Sequence, residues 1–250
     1  TEGAIKGKVF HAGVLGSQPD AIEQLRLGVL DFGVFSLGPM GQVVPATNVV
    51  SLPFVFKSVP QMYKLMDGVP GAELGKALEE KGIVALGYYD AGARSFYNSI
   101  KPINTPADVA GMKVRVMNND LFVGMIESMG GNATPSYEST SHYEVAKYYS
   151  LTQHLIIPEC LCMSKKTFDA LSPEQQKIVK TAGKNSTDLQ RKLWQEREAA
   201  SMKIIKDGGV EVNEVADKTA FQAAMAPVYE KYLAANPQMA DLVDLFRTAD

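Results

Sequence analysis

The chain has 250 residues, 46% of them apolar, enough to bury a substantial core in one large domain or two ordinary ones. Its 25 basic and 28 acidic residues nearly cancel, no basic tract suits nucleic acid, and no segment approaches the roughly 20 apolar residues of a membrane-spanning helix. Composition therefore predicts a soluble protein without nucleic-acid partners. No charged start leads into an apolar stretch, so any secretory signal is expected to have been removed or never to have belonged to this sequence.

In chain order, a strand is predicted over 5–10, a helix over 19–27 and a strand over 31–36. Helices over 59–66 and 72–81 lead to a strand over 83–88, a short helical turn over 106–109, a strand over 112–117 and a helix over 120–129. A single strand is expected over 155–164 and another over 210–215. Strands alternating with helices predict parallel sheets of β-α units. Cys160 and Cys162 fall two apart in a strand, near the upper limit of disulfide reach, and no second cluster offers a metal site. They are expected to be two small unbridged hydrophobes.

Ser172-Pro173-Glu174-Gln175 combines a capping serine, a proline in the first turn and a glutamine three residues past the cap. Apolar residues then recur at Ile178, Ala182, Leu189, Leu193, Ala200 and Ile204, until Gly208 and Gly209 end the pattern. A helix over 173–206 would be about 50 Å long at 1.5 Å per residue, more than one small domain needs. Gly183 costs such a helix roughly 1 kcal/mol relative to alanine, so packing must hold that point.

Two arginines carry the functional signal: Arg94 in Gly-Ala-Arg-Ser-Phe-Tyr-Asn and Arg115 in Lys-Val-Arg-Val-Met-Asn-Asn. Each adjoins a strand-like apolar run, where open α/β sheets place ligand contacts. Alternation turns Arg115, with Lys113 and Met117, away from the face that Val114 and Val116 bury. A guanidinium grips a carboxylate through two parallel charge-assisted bonds but offers no acid-base chemistry at neutral pH. Holding an anion is favoured over transforming it. Enzyme motifs agree: Gly68 to Lys76 misses the phosphate-loop spacing, no dinucleotide fingerprint or Gly-x-Ser-x-Gly elbow occurs, and His11, His142 and His154 have no metal-gathering spacing. No turnover, cofactor or metal is predicted.

Gly92 to Arg94, Thr105 to Asp108 and Lys113 to Asn118 follow one another in an order that resembles the solute-binding proteins of tripartite ATP-independent periplasmic (TRAP) transporters. Leu15-Gly16-Ser17, Val50 to Phe54, Ser136 to Thr140 with His142-Tyr143-Glu144, and Leu171 to Gln175 extend the resemblance over nearly the whole chain. It implies an α/β, two-lobed periplasmic-binding-protein-like fold with a cleft between lobes and a long bridging helix. Residues 1–92 would form mainly lobe I and 93–165 mainly lobe II with crossovers. Residues 172–207 would be the helix spanning both, with 208–250 completing the lobes. The motif positions imply Arg115 as the principal carboxylate clamp, Arg94 as a second contact and Asn118 as a hydrogen-bonding partner of a hydroxyl or carboxylate.

Ser36 ends the strand over 31–36 before Leu37-Gly38-Pro39, a candidate cleft loop, although a polar turn residue would look the same. His142 lies among Tyr137, Tyr143, Tyr148 and Tyr149, a mixture suited to a sugar-sized pocket. Glu159 is a further candidate contact. The branch most similar in wording takes sugar acids such as hexuronates. The expected role is a periplasmic, monomeric receptor, its signal peptide removed, that delivers a small organic acid to TRAP transporter membrane subunits. The alternative is a sugar-acid hydrolase or isomerase anchored by Arg115, with His142 or Glu159 as base. The family begins with a further strand and helix before the segment matching 5–10. It also places a strand, a helix and an Asp-Gly-x-Glu-Asn turn between the positions of Pro135 and Ser136. That unit is expected in the natural chain, because its deletion would bare apolar core.

Overall fold

The computed structural model describes residues 3, 5–11, 13–117, 119–135 and 146–248. Its strands are β1 (Phe32–Ser36), β2 (Ile83–Tyr89), β3 (Ala93–Asn98), β4 (Lys113–Val116), β5 (Asn132–Pro135), β6 (Tyr148–Ile156), β7 (Glu159–Ser164) and β8 (Glu211–Glu214). The helices are α1 (Gln18–Leu27), α2 (Leu37–Met40), α3 (Val59–Asp67), α4 (Val69–Glu80), α5 (Asp120–Ser128), α6 (Lys165–Asp169), α7 (Pro173–Asp207), α8 (Thr219–Ala224), α9 (Ala226–Ala235) and α10 (Ala240–Thr248). Local chemistry accounts for the starts. Ser58 Oγ accepts from the Gln61 N–H at 3.2 Å to open α3. Ser172 and Gln175 exchange reciprocal bonds of 3.2 and 2.9 Å to open α7, the predicted capping box.

A first sheet has the order β1-β7-β2, a second β3-β6-β8, and β4 pairs with β5. The predicted parallel architecture is corrected here: β7 runs antiparallel to both β1 and β2, and β3 antiparallel to β6, while only β6/β8 and β4/β5 are parallel among the described ladders. The cause lies in the stretch expected as one strand over 155–164. It breaks at Ile157 and Pro158 into β6 of the second sheet and β7 of the first. Proline has no N–H to give a ladder, so pairing stops and the chain passes between sheets. β7 then arrives antiparallel in the slot between β1 and β2.

The strand expected over 5–10 does not form: residues 6–10 lack regular secondary structure and Val9 is 84% exposed. An alternating pattern without a partner ladder does not hold a strand. Cys160 and Cys162 are fully buried as expected, yet they form a disulfide, which overturns the unbridged reading. Their Cα atoms are 5.5 Å apart, inside bridging range, in a stretch of β7 opposite a register shift of β2 between Ala85 and Gly87. Nothing in the residue pattern signals that spacing.

The long helix forms over the predicted span but buries a different face. Val179, Gly183, Thr187 and Arg191 are buried, whereas Ile178, Leu189, Leu193 and Ile204 of the predicted stripe are exposed. Close approach, not side-chain bulk, selects the face. A Cβ on Gly183 would sit 2.7 Å from both the Cβ and the carbonyl oxygen of Leu86 on β2. The C-terminal helices, which the sequence reading did not resolve, insert fully buried Phe221 and Phe246, and Phe246 meets Phe56 edge-on at 5.7 Å.

Gly183→Ala separates packing from helix propensity. In an exposed helix the change would stabilise by roughly 1 kcal/mol. Here it is expected to destabilise by about 1–3 kcal/mol through overpacking against β2, read as a lowered Tm. A raised Tm would rule out the close helix-strand contact.

Candidate functional site

The site grows from a break in the β3/β6 ladder. Arg94 pairs with Leu155 and Phe96 with Ser150, so β6 spends five residues where β3 spends two. The excess makes a bulge in which Gln153 adopts φ +48, a left-handed value rare outside glycine, and the Gln153 N–H donates to Ser95 Oγ at 3.1 Å. Bulges of this kind re-aim side chains. Ser150, Thr152 and His154 are all buried, polar residues turned inward on alternate positions of a strand. Ser150 Oγ accepts from the Ile103 N–H at 2.8 Å and bonds Asn213 Oδ1 at 2.7 Å. Thr152 Oγ1 bonds His154 Nδ1 at 2.8 Å, and the His154 ring stacks on Phe96 with centroids 4.3 Å apart.

Arg94, Arg115, Phe96, Tyr149 and His154 line one cavity of about 480 Å³. Arg94 is half-buried on β3, and Arg115 is exposed on β4, opposite the face carrying buried Val116. The two guanidinium groups are close enough to feel each other. Burial lowers the Arg94 pKa, the Glu159 carboxylate opposes that shift, and the Arg115 charge adds to it. Arginine nonetheless keeps its charge at neutral pH. Burial raises the Glu159 carboxyl, with Arg94 pulling it back. Burial and the adjacent Arg94 charge push His154 down from near 6.5 to about 3, so its ring is neutral at physiological pH.

Of the residues named from sequence, Arg94 and Arg115 meet at this cavity. Glu159, the first residue of β7, does not line the cavity but couples electrostatically to Arg94. Ser36 ends β1 directly opposite Glu159, buried, its hydroxyl without a hydrogen-bond partner among the described residues; its carbonyl accepts from Gln18 Nε2 at 3.0 Å. Asn118 and His142 lie outside the described residues. Next to the former, Asn119 caps α5 and donates from Nδ2 to the Gly38 carbonyl at 3.0 Å and to Asn48 Oδ1 at 3.2 Å, tying the β4-α5 turn to α2 and the turn after it.

The family model described as bacterial extracellular solute-binding protein, family 7 (DctP) matches residues 1–136 and 132–236. The chain belongs to this family. The two matched stretches meet where the sequence reading expects an additional β-α unit. A solute-binding protein of Chromohalobacter salexigens is 50% identical over 266 residues, covering 97% of this chain and 79% of the relative. A TRAP periplasmic solute-binding protein from Sulfitobacter sp. NAS-14.1, solved with bound β-D-galacturonate, is 82% identical with a TM-score of 0.95, covering 99% of this chain and 90% of that one. Another from Roseobacter denitrificans, with bound β-D-glucuronate, is 55% identical with a TM-score of 0.93, covering 97% and 88%. The fold is thus the two-lobed α/β fold of TRAP solute-binding proteins, with α7 as its long helix.

Within this solute-binding protein, sequence reasoning missed Phe96, Thr152 and His154. A signal was present: Ser150, Thr152 and His154 alternate in a strand, and an alternating polar set can face inward as readily as outward. Among the described residues no group of three or more His, Cys, Asp or Glu is arranged to hold a metal, and no helix is long and apolar enough to cross a membrane.

The depressed His154 pKa carries a signed consequence. Between about 3 and 6.5 the unfolded chain binds a proton that the folded one refuses, so His154 makes stability fall as pH drops through that window. His154→Gln is therefore expected to flatten the Tm-against-pH curve between pH 6.5 and 4 relative to wild type. The wild-type imidazole NMR shifts should stay constant from pH 7 to 5. A midpoint near 6 would contradict the buried, Arg94-facing position.

Proposed function

We propose that this protein is a periplasmic receptor that captures a hexuronate, such as D-galacturonate or D-glucuronate, and delivers it to the membrane subunits of a TRAP transporter without transforming it. The observation that carries the reading is the convergence of two guanidinium groups, Arg94 and Arg115, on a single cavity. Two like charges beside one another favour an anion between them, and a planar fork suits a carboxylate. Arg115 serves as the principal clamp and Arg94 as the second contact, with Glu159, Ser36, Asn118 and His142 completing the polar surround. The aromatic rings of Phe96 and Tyr149 give a pyranose ring apolar surface. The uronates in the related TRAP receptors supply the ligand class. Residues 1–92 and 93–165 are proposed as the main parts of the two lobes, since the chain crosses between sheets at 90–92 and 157–158.

Isothermal titration with uronic, aldonic and simple dicarboxylic acids tests this. Saturable binding of a uronate with no chemical change is expected; steady heat release with product formation would point to the hydrolase or isomerase instead. Arg115→Ala should lose roughly 2–5 kcal/mol of uronate binding with Tm nearly unchanged. Wild-type affinity in that variant would remove Arg115 from the clamp.

A further inference from the structure

The first crossing between the sheets is three residues long, Asp90 to Gly92, and a single side chain of α7 holds its backbone. The Asp90 N–H donates to Gln190 Oε1 at 2.9 Å, and Gln190 Nε2 donates to the Asp90 carbonyl at 2.8 Å. One primary amide thus supplies the acceptor and donor that a neighbouring strand would supply, and carries the pairing of β2 one residue past its end. The surroundings on that side are equally tied. Tyr63 donates its hydroxyl proton to Asp90 Oδ2, and the Gly92 N–H donates to Asp90 Oδ1 at 2.8 Å. The next residue of α7, buried Arg191, donates to the Tyr88 carbonyl at 2.9 Å, forks onto Asp67 at 2.6 and 2.9 Å, and lies 4.3 Å over the Tyr63 ring.

Immediately beyond, the hydrogen bonds from α7 side chains to the crossing backbone end. Gly92 has φ +74, and a Cβ there would collide with the Glu198 carboxylate. Past that point α7 stands off the second sheet across a space of about 820 Å³, bounded by Trp194, Met202 and Ile205 on the helix and Tyr97 and Tyr149 on the sheet. The α7 clamp on the backbone therefore stops at Asp90, and the next bond, from the Gly92 N–H, is made within the crossing itself to the Asp90 side chain.

We propose that Gln190 is a positioning residue for ligand capture: its amide clamps the crossing at Asp90 so that the second sheet turns on the first about Ala91 and Gly92. This rests on the reading that the ligand is trapped between the two lobes. Gln190 does not line the arginine cavity and acts through the crossing peptide, setting how many orientations of the arginine-bearing sheet the empty receptor samples.

Spin labels at Lys76→Cys on α4 and Ala107→Cys near the second sheet, both exposed, report the distance between lobes by pulsed electron resonance; the native cysteines are bridged and stay silent. Gln190→Met keeps side-chain length but removes both hydrogen bonds. It is expected to broaden the distance distribution of the ligand-free protein and to weaken D-galacturonate binding fivefold or more. A distribution as narrow as wild type overturns the proposal, even if Tm falls, because that would mark Gln190 as stabilising only. Should Gln190→Met fail to fold, Gly92→Ala is expected to shift the mean distance, and an unmoved mean overturns the pivot. If the wild-type protein binds no uronate, the receptor reading fails, while the ligand-free distributions still decide the clamp.

Discussion

Two positive charges share one cavity, and the rest of the site is arranged around that. Arg94 is half-buried on β3 and Arg115 sits on β4, near enough that the Arg115 charge disfavours that of Arg94. Coulomb repulsion at this range weakens as the local dielectric rises, and it reverses to net attraction once an anion lies between the charges. Glu159 supplies part of that compensation from the start of β7. A carboxylate arriving in the cavity would supply the remainder, which is why the site reads as a place for an acid.

A third cation beside these two would be costly, and His154 avoids becoming one. It is buried against Phe96, its Nδ1 engaged by Thr152, and the Arg94 charge reinforces its neutrality. The bulge in β6 makes this possible. A regular ladder across β3 and β6 would have kept Thr152 and His154 in simple register with β3, and the three extra residues are taken up by the left-handed turn at Gln153. Local backbone strain of this kind is kept only where surrounding packing over-determines it.

The helix α7 has two characters along one rod. From Val179 to Arg191 it is pressed onto β2 so closely that Gly183 leaves no room for a methyl group. From Trp194 onward its residues are exposed or half-buried and face a cavity instead of a packed sheet. The change falls at the level of the chain's first crossing between sheets, where Gln190 and Arg191 fasten the backbone. One element thus packs tightly on the first sheet and faces the second across a cavity, as the proposed turning of one sheet on the other requires.

Local chemistry decided much of this chain in advance. Ser172 and Gln175 set the start of α7, and the strict alternation of Lys113 to Met117 turned Arg115 off the valine face, because caps and side-chain alternation depend on near neighbours alone. The order of motifs around Gly92, Thr105 and Lys113 made the family legible. Other features needed distant segments to meet. The insertion of β7 between β1 and β2, the buried face of α7 and the inward turn of His154 each follow from contacts between residues far apart in sequence. Sequence periodicity records which positions resemble one another; only the folded chain decides what stands opposite them, and burial and pKa are set by that opposing surface.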